Sequence, residues 1–344
     1  MEKFDVVIAG GSFAGLAVAG ELRGKKVAII DRKRIGACRT SACGAPISVI
    51  EEAGAGKSIL YTCDDAVFHS RTKVKRVRLS APWCTIDYDK FCKILLKKTD
   101  AKVIKANVAG MKNGAVETDK GMVRGKVFID ASGWNAALAT SLQPDYYEKG
   151  GLCFGVETDS EYEDDGALHF IYDPEIIKGG MAWVFPAGKT ARFGVISHAG
   201  KGNILPELDR LLAKYGNGKR GRQLHGNFIP SVLRKPVVGG MFVVGDAAGQ
   251  ALPGTLEGIR KSLEYGRMCG RLSRRVLDGE MALPKALADY EASVEKSRRY
   301  YNLLLWGQKR IARSSGVGFL KGMAYHIVFS RHFSQWFEKT YLSW

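Results

Sequence analysis

Long apolar runs, paired cysteines and acidic residues are what this 344-residue chain has little of. No stretch reaches the ~18–20 consecutive apolar residues of a membrane-spanning helix. The nearest candidate, Val6 to Gly20, is glycine-rich and too short, so any membrane contact is expected to be peripheral. Seven cysteines (Cys38, Cys43, Cys63, Cys84, Cys92, Cys153 and Cys269) form no Cys-x-x-Cys pair, and their odd number argues against a secreted disulfide framework. No metal site is expected. The opening Met-Glu-Lys-Phe-Asp lacks the basic start and cleavage site of a signal peptide, which predicts a cytoplasmic protein. Asp and Glu number 35 against 52 Lys and Arg, and the net charge of +17 implies an anionic partner. The excess is uneven: Lys296 to Trp344 holds nine Lys/Arg and one acid, Glu338.

What is present is an ordinary globular composition, 46% hydrophobic and 25% charged, in a chain long enough for two or three domains. Neither an internal repeat nor a low-complexity tract interrupts it. Phe4 to Ala9 reads as a buried strand, followed by a glycine turn, a helix from about Ala14 to Leu22, and a second strand, Lys26 to Ile30, ending at Asp31. Phe91 to Lys98 reads as helix, and Val127 to Asp130 and Met241 to Val244 as short buried strands of the same α/β layer. Between them, Val67 to Leu79 and Leu152 to Ser197 are rich in alternating, β-branched and aromatic residues, which predicts an inserted antiparallel sheet. From Thr255 onward the pattern turns helical. The expected division is therefore 1–66, 84–149 and 236–290 for the α/β unit, 67–83 and 150–235 for the sheet unit, and 291–344 for a C-terminal helical region.

Chemistry is carried first by Gly10-Gly11-Ser12-Phe13-Ala14-Gly15, set between strand and helix, with Asp31 21 residues after Gly10. Gly10 permits a tight turn, the helix N-terminus offers N–H groups to a pyrophosphate, Gly15 lets helix and strand touch, and Asp31 can accept ribose hydroxyls. Ser12 stands where a second glycine is usual, and its hydroxyl is suited to a phosphate oxygen. Far downstream, Gly245-Asp246-Ala247-Ala248-Gly249 closes a strand and Pro253-Gly254-Thr255-Leu256-Glu257-Gly258-Ile259 leads into a helix. An aspartate at a strand end before a helix start suits a sugar-alcohol chain. A third segment, Val127-Phe128-Ile129-Asp130-Ala131-Ser132-Gly133, lies between the two.

This arrangement resembles the p-hydroxybenzoate hydroxylase type of flavoproteins, in which the distal Gly-Asp binds the ribityl chain of FAD. Gly180-Met181-Ala182-Trp183-Val184-Phe185-Pro186 is similar to the Tyr-x-Trp-x-Phe-Pro motif of the geranylgeranyl reductases, with Met181 in place of tyrosine. Cys43-Gly44-Ala45-Pro46 resembles the cysteine loop that those reductases set beside the isoalloxazine ring, while their usual Thr-Gly-Gly reads Thr255-Leu256-Glu257 here. The resemblance implies an α/β fold, with a Rossmann-like FAD-binding domain, an inserted antiparallel substrate sheet and a helical C-terminus. It further implies FAD held by Gly10, Ser12, Ala14, Gly15, Asp31, Arg32, Arg39, Cys43, Gly44, Ala131, Gly133, Gly245, Asp246, Pro253, Gly258 and Ile259, a catalytic Cys43, and a substrate wall of Trp183, Phe185 and Pro186.

An isoprenoid double bond offers nothing to hydrogen-bond, so a reductase positions it by apolar shape and delivers hydride from reduced flavin. The expected activity is saturation of geranylgeranyl-type lipid precursors. The alternatives are a monooxygenase or halogenase of the same fold, or a lycopene-cyclase-like flavoprotein without net redox. No second dinucleotide fingerprint is visible, so a ferredoxin-like carrier and NAD(P)H both stand as electron donors. Cys38 is a candidate redox partner for Cys43, and His69, Arg71, Lys73 and Lys75 alternate as a candidate face for a phosphate headgroup. The aromatic and basic stretch Gly316 to Trp344 suits an anionic bilayer surface on the cytoplasmic side. Without a recognised nucleic-acid motif, nucleic acid is disfavoured as the partner.

Overall fold

The structure, a computed structural model, describes residues 2–37, 39, 42–146 and 151–313. Cys38 and the stretch Gly316 to Trp344 lie outside the described residues, and with them the expected Cys38–Cys43 pair and C-terminal membrane segment. The chain opens with β1 (Val6–Ala9), α1 (Phe13–Gly20), β2 (Val27–Asp31), β3 (Gly44–Pro46) and α2 (Ile47–Glu52), then forms a long hairpin of β4 (Ile59–Ser70) and β5 (Val74–Ile86). There follow α3 (Tyr88–Lys97), β6 (Lys102–Lys105), the meander β7 (Val108–Lys112), β8 (Ala115–Thr118) and β9 (Gly121–Val123), then β10 (Val127–Asp130) and α4 (Ala137–Leu142). The second half runs through β11 (Leu152–Ser160), β12 (Ala167–Tyr172), β13 (Gly180–Pro186), β14 (Ala191–Ser197), α5 (Leu205–Tyr215) and β15 (Leu224–Pro230). It closes with β16 (Val237–Val238), β17 (Met241–Val243), α6 (Ile259–Leu277) and α7 (Leu283–Arg313).

Among the described residues three sheets form. The first is six-stranded, ordered β16-β17-β10-β1-β2-β6, parallel except for the β16/β17 pair. Its central strands are buried on both faces, as parallel strands require. Val6 and Ile8 face the core under α1, α3 and α6, whereas Val7 and Ala9 face α4 and the meander. Burial of each large aliphatic there, such as Leu16 or Leu22, stabilises by about 1.5–3 kcal/mol. Helix α3 starts three residues before the predicted Phe91 because Asp87 caps it, its side chain accepting from the Lys90 amide.

The second sheet is eight-stranded, ordered β15-β11-β14-β13-β12-β4-β5-β3. It is antiparallel at every neighbour but one: β4 and β12 pair in parallel, His69 opposite Ile171. The two strands are about a hundred residues apart in sequence and joined by no hairpin, so nothing forces them antiparallel. Both arms of the β4/β5 hairpin also run beyond the expected limits at 67 and 83, and β3 adds a further strand from the first segment. One face of this sheet packs on α5 through Val184, Phe193, Leu208 and Leu212. The other carries Leu168, Met181, Trp183, Phe185 and Ile196.

The expected phosphate face does not form. A hairpin turn between Ser70 and Val74 breaks the alternation, Arg71 pairs with Glu175 at 3.3 Å, and His69 turns to His169, Nε2 to Nδ1 at 2.8 Å. Helix α7 is continuous across the expected boundary at 290/291.

Candidate active site

Three strand ends of the parallel sheet, β1, β10 and β17, bring the sequence motifs together. After β1 the backbone turns at Gly10 with φ +101°, and a Cβ there would lie 2.1 Å from the Ala131 carbonyl oxygen. A Cβ at Gly15 would lie 2.0 Å from the Gly10 carbonyl oxygen, so α1 starts in backbone contact with the turn that precedes it. Larger side chains at either place would push the helix N-terminus out of line with the strand end. Asp31, at the tip of β2, accepts from the Gly11 amide through Oδ2 and from the Lys33 amide through Oδ1, both at 2.9 Å. The carboxylate thus shapes the glycine turn while half-exposed beside it. Ser12 makes no side-chain cap; its hydroxyl, expected to serve a phosphate oxygen, is hydrogen-bonded to Tyr88 Oη at 2.9 Å. Arg32 is exposed.

The distal motif abuts the first. A Cβ on Gly245 would fall 2.8 Å from the Ala14 methyl group. The Gly245 amide donates to Gln250 Oε1 at 2.7 Å, while Gln250 is fixed in turn by Tyr290 and Tyr301 of α7. Gln250 escaped the sequence reading, although a polar residue closing a run of small ones between strand and helix is a usable signal. No described group hydrogen-bonds the Asp246 carboxylate, which burial pushes up to about 6 despite the pull of Arg234. Its Oδ1 faces Gly258, the residue before α6, and Ile259 buries the first turn of that helix. Pro253 is buried beside Gly254, whose amide donates to Gln308 Oε1 of α7 at 2.7 Å.

The middle segment plays a different part. Asp130 is buried; its Oδ1 accepts from Ser132, and its Oδ2 accepts from the Leu138 and Ala139 amides at 2.9 and 2.8 Å. It is the anchor of α4, and it sets Ala131 and Gly133 (φ +87°) at the end of β10 beside Gly10.

The second sheet contributes an apolar wall. Every residue of β13 is buried, and Met181, Trp183 and Phe185 share the face that also holds Cys63, Cys153, Leu168 and Ile196. Phe170 stacks edge-on to Phe185 with ring centroids 5.2 Å apart. Pro186 closes the strand and its carbonyl accepts from Thr85 Oγ1 at 2.6 Å. Trp183 Nε1 donates to Glu157 Oε2 at 2.9 Å, and the same carboxylate pairs with Arg39 at 2.9 Å. Arg39 also pairs with Asp159 at 3.1 Å, so the arginine expected near the cofactor is held by two acids of β11.

Cys43 is buried with φ +59°, its carbonyl accepting from the Ile86 amide at 3.0 Å. Its side chain joins the core beneath α1, while its neighbour Gly44 comes against the Phe185 ring, a Cβ there lying 3.1 Å from Cε2. Buried Arg192 fixes this loop by donating to the Ala42 and Ile86 carbonyls, both at 2.8 Å. The acidic cluster Glu161, Glu163, Asp164 and Asp165 forms an irregular tip whose Asp164 and Asp165 hold Tyr61 and Arg76.

The glycine-lined turns and the unpartnered Asp246 carboxylate fit a dinucleotide bearing a sugar-alcohol chain, as FAD does. No family model matches the chain. A digeranylgeranylglycerophospholipid reductase of Methanococcoides burtonii is 30% identical over 184 residues, 49% of this chain and 44% of that protein. One from Methanopyrus kandleri is 27% identical over 337 residues, 86% of this chain and 87% of that protein. The chain spans about half the length of the first curated relatives it matches, 44% and 57%. Among solved structures, a geranylgeranyl bacteriochlorophyll reductase-like protein of Thermoplasma acidophilum superposes with a TM-score of 0.80 at 19% identity, covering 98% of this chain and 99% of that one. A myxobacterial FAD-dependent halogenase shares the fold with a TM-score of 0.71 at 15% identity, covering 100% of this chain and 90% of its own. In sequence, therefore, the chain is related to the digeranylgeranylglycerophospholipid reductases, and it shares its fold with the geranylgeranyl bacteriochlorophyll reductase-like protein and the FAD-dependent halogenase.

Proposed function

We propose that the protein is an FAD-dependent reductase that saturates isoprenoid double bonds of geranylgeranyl-type lipid precursors. The observation that carries this reading is the apolar face of Met181, Trp183 and Phe185, against which both the Cys43 loop, through Ala42 and Gly44, and Leu256 pack. Such a face binds an alkene by shape, since an alkene offers no hydrogen bond to specify it. The names of the relatives found in sequence support the same substrate class.

In this reading the Gly10–Gly15 turn and the α1 N-terminus hold the pyrophosphate, Asp31 the ribose and Asp246 the sugar-alcohol chain. When bound and reduced, FAD would be the source of hydride for one carbon of the double bond. The chain's own residues then do the positioning. Trp183 and Phe185 keep water from the alkene, and Arg192 holds the backbone on which Cys43 sits. Cys43 is the proposed source of the proton for the second carbon. The electron donor proposed is an acidic ferredoxin-like carrier, for which a net charge of +17 is suited, with NAD(P)H as the alternative. An anionic membrane surface is the proposed source of substrate. The exposed side of α7 supports it, with Leu303 and Trp306 among Arg299, Lys309 and Arg310 and the Arg310 guanidinium 3.9 Å over the Trp306 ring. No described helix is long and apolar enough to cross a membrane.

The test is anaerobic. The protein is reduced chemically, a geranylgeranyl lipid is added, and flavin reoxidation and lipid mass are followed together. Reoxidation with hydrogen gained by the lipid supports the reductase. Oxygen-dependent product would move the reading to a monooxygenase or halogenase, and product of unchanged mass to a non-redox isomerisation.

A further inference from the structure

Leu256 occupies a backbone conformation that favours glycine. Its φ is +55°, one of four such values among the non-glycine residues described, and the local structure explains why it is held there. The Leu256 amide donates to the Leu252 carbonyl at 2.8 Å, and the Leu252 amide donates to the Glu257 carbonyl at 3.0 Å, so the loop closes on itself. Glu257, nearly buried, pairs with Arg260 at 3.0 Å and accepts from its amide, which fastens the loop to the first turn of α6. This fastening leaves the Leu256 side chain one direction to go. It packs against the Trp183 and Phe185 cluster, and among the described residues it is the one member of that group contributed by the chain after β17.

A leucine maintained at positive φ, where glycine would sit without strain, marks a position at which the side chain itself is required. We infer that Leu256 is the specificity-determining residue of the substrate slot: it narrows the space facing Trp183 and thereby sets the longest prenyl chain accepted. This rests on the apolar-substrate reading above and adds to it the residue that measures the chain. Leu256 is not in contact with the reacting atoms in this account; it acts on which substrate enters.

The experiment uses the full-length protein with its flavin bound and measures binding rather than turnover. Equilibrium dissociation constants are determined for geraniol, farnesol and geranylgeraniol with the wild type, Leu256→Gly and Leu256→Ala. The expected result is that Leu256→Gly shifts preference toward the longest alcohol by on the order of ten-fold, with Leu256→Ala between the two. Thermal stability of Leu256→Gly is expected to match or exceed that of Leu256→Ala, because only glycine relieves the backbone strain. An identical order of affinities in all three proteins overturns the assignment of Leu256 while leaving the apolar-substrate reading standing. If the wild type binds none of the alcohols, that reading fails and this inference with it. Should Leu256→Gly not fold, Leu256→Ala decides alone, since it removes all of the side chain beyond Cβ.

Discussion

Trp183 donates its indole N–H to the buried carboxylate of Glu157 at 2.9 Å, a bond that ties the ring of β13 to the neighbouring acid of β11 within the apolar face. Glu157 is in turn paired with Arg39, so an aromatic wall is tied to a buried ion pair. Trp183→Phe keeps the apolar wall and removes one donor from the carboxylate, which is expected to cost about 1–3 kcal/mol of stability. Glu157→Leu is expected to cost more, about 3–5 kcal/mol, because it strands Arg39 without its closest acid. Chemical denaturation of the two variants checks the order, and a smaller loss for Glu157→Leu than for Trp183→Phe would contradict it.

Asp246 gives the protein a pH signature. Its folded pKa is pushed up to about 6 from an ordinary 3.8, so the fold favours the protonated form. Stability from this group is therefore complete below about pH 4 and is lost as pH rises through 6. In flavin-free protein, Asp246→Asn should be about as stable as wild type at pH 4 and roughly 2 kcal/mol more stable at pH 7. With flavin present the order is expected to reverse, the variant holding FAD at least about ten-fold more weakly for want of a carboxylate acceptor. Melting temperatures at the two pH values and flavin content after gel filtration test both halves.

Gly15→Ala should separate flavin retention from general folding. The added methyl group would sit 2.0 Å from the Gly10 carbonyl oxygen, so α1 must shift away from the turn. Flavin retention is expected to fall at least about ten-fold, with a loss of stability on the order of 1–3 kcal/mol. Wild-type flavin content in this variant would show that the α1 N-terminus does not hold the pyrophosphate.

Cys43→Ala probes the proposed proton source. Flavin content and prenyl-alcohol binding are expected to stay near wild type, whereas anaerobic reoxidation by lipid should slow by about 10²–10⁴-fold, the usual weight of a positioned acid. Unslowed reoxidation would leave Cys43 with a packing role only, consistent with its side chain lying in the core beneath α1.

The opening βαβ was legible because its signals are local: an apolar run too short for a helix, glycines at the turn, and Asp31 at the next strand end. The wall on β13 was legible from its aromatics, since consecutive buried strand residues repeat every second position onto one face. What escaped the sequence depends on partners distant along the chain. Arg39 reads as a cofactor arginine until Glu157 and Asp159, on a strand more than a hundred residues later, are seen to take it. The parallel match of β4 with β12 has no local signal, because register across a non-hairpin pair is decided by packing alone. Glu257 and Gln308 act by fastening loops through backbone amides, which leaves no pattern in composition or spacing, whereas Gln250 does the same and leaves one trace, a polar residue closing a run of small ones. The direction of Cys43 turned on a single positive φ.

The interleaving of the two large sheets also governs how the polypeptide reaches its native state. The parallel sheet takes strands from the beginning, the middle and residues 237–243, while the eight-stranded sheet takes strands from 44–86 and again from 152–230. The eight-stranded sheet is incomplete until β15 has emerged, and the parallel sheet until β17 has. The protein is thus expected to fold slowly, with high contact order and one late cooperative step rather than a sequence of autonomous halves. Until that step the unpaired edge of β4 awaits β12, which makes it the place where an incompletely synthesised chain is exposed to aggregation.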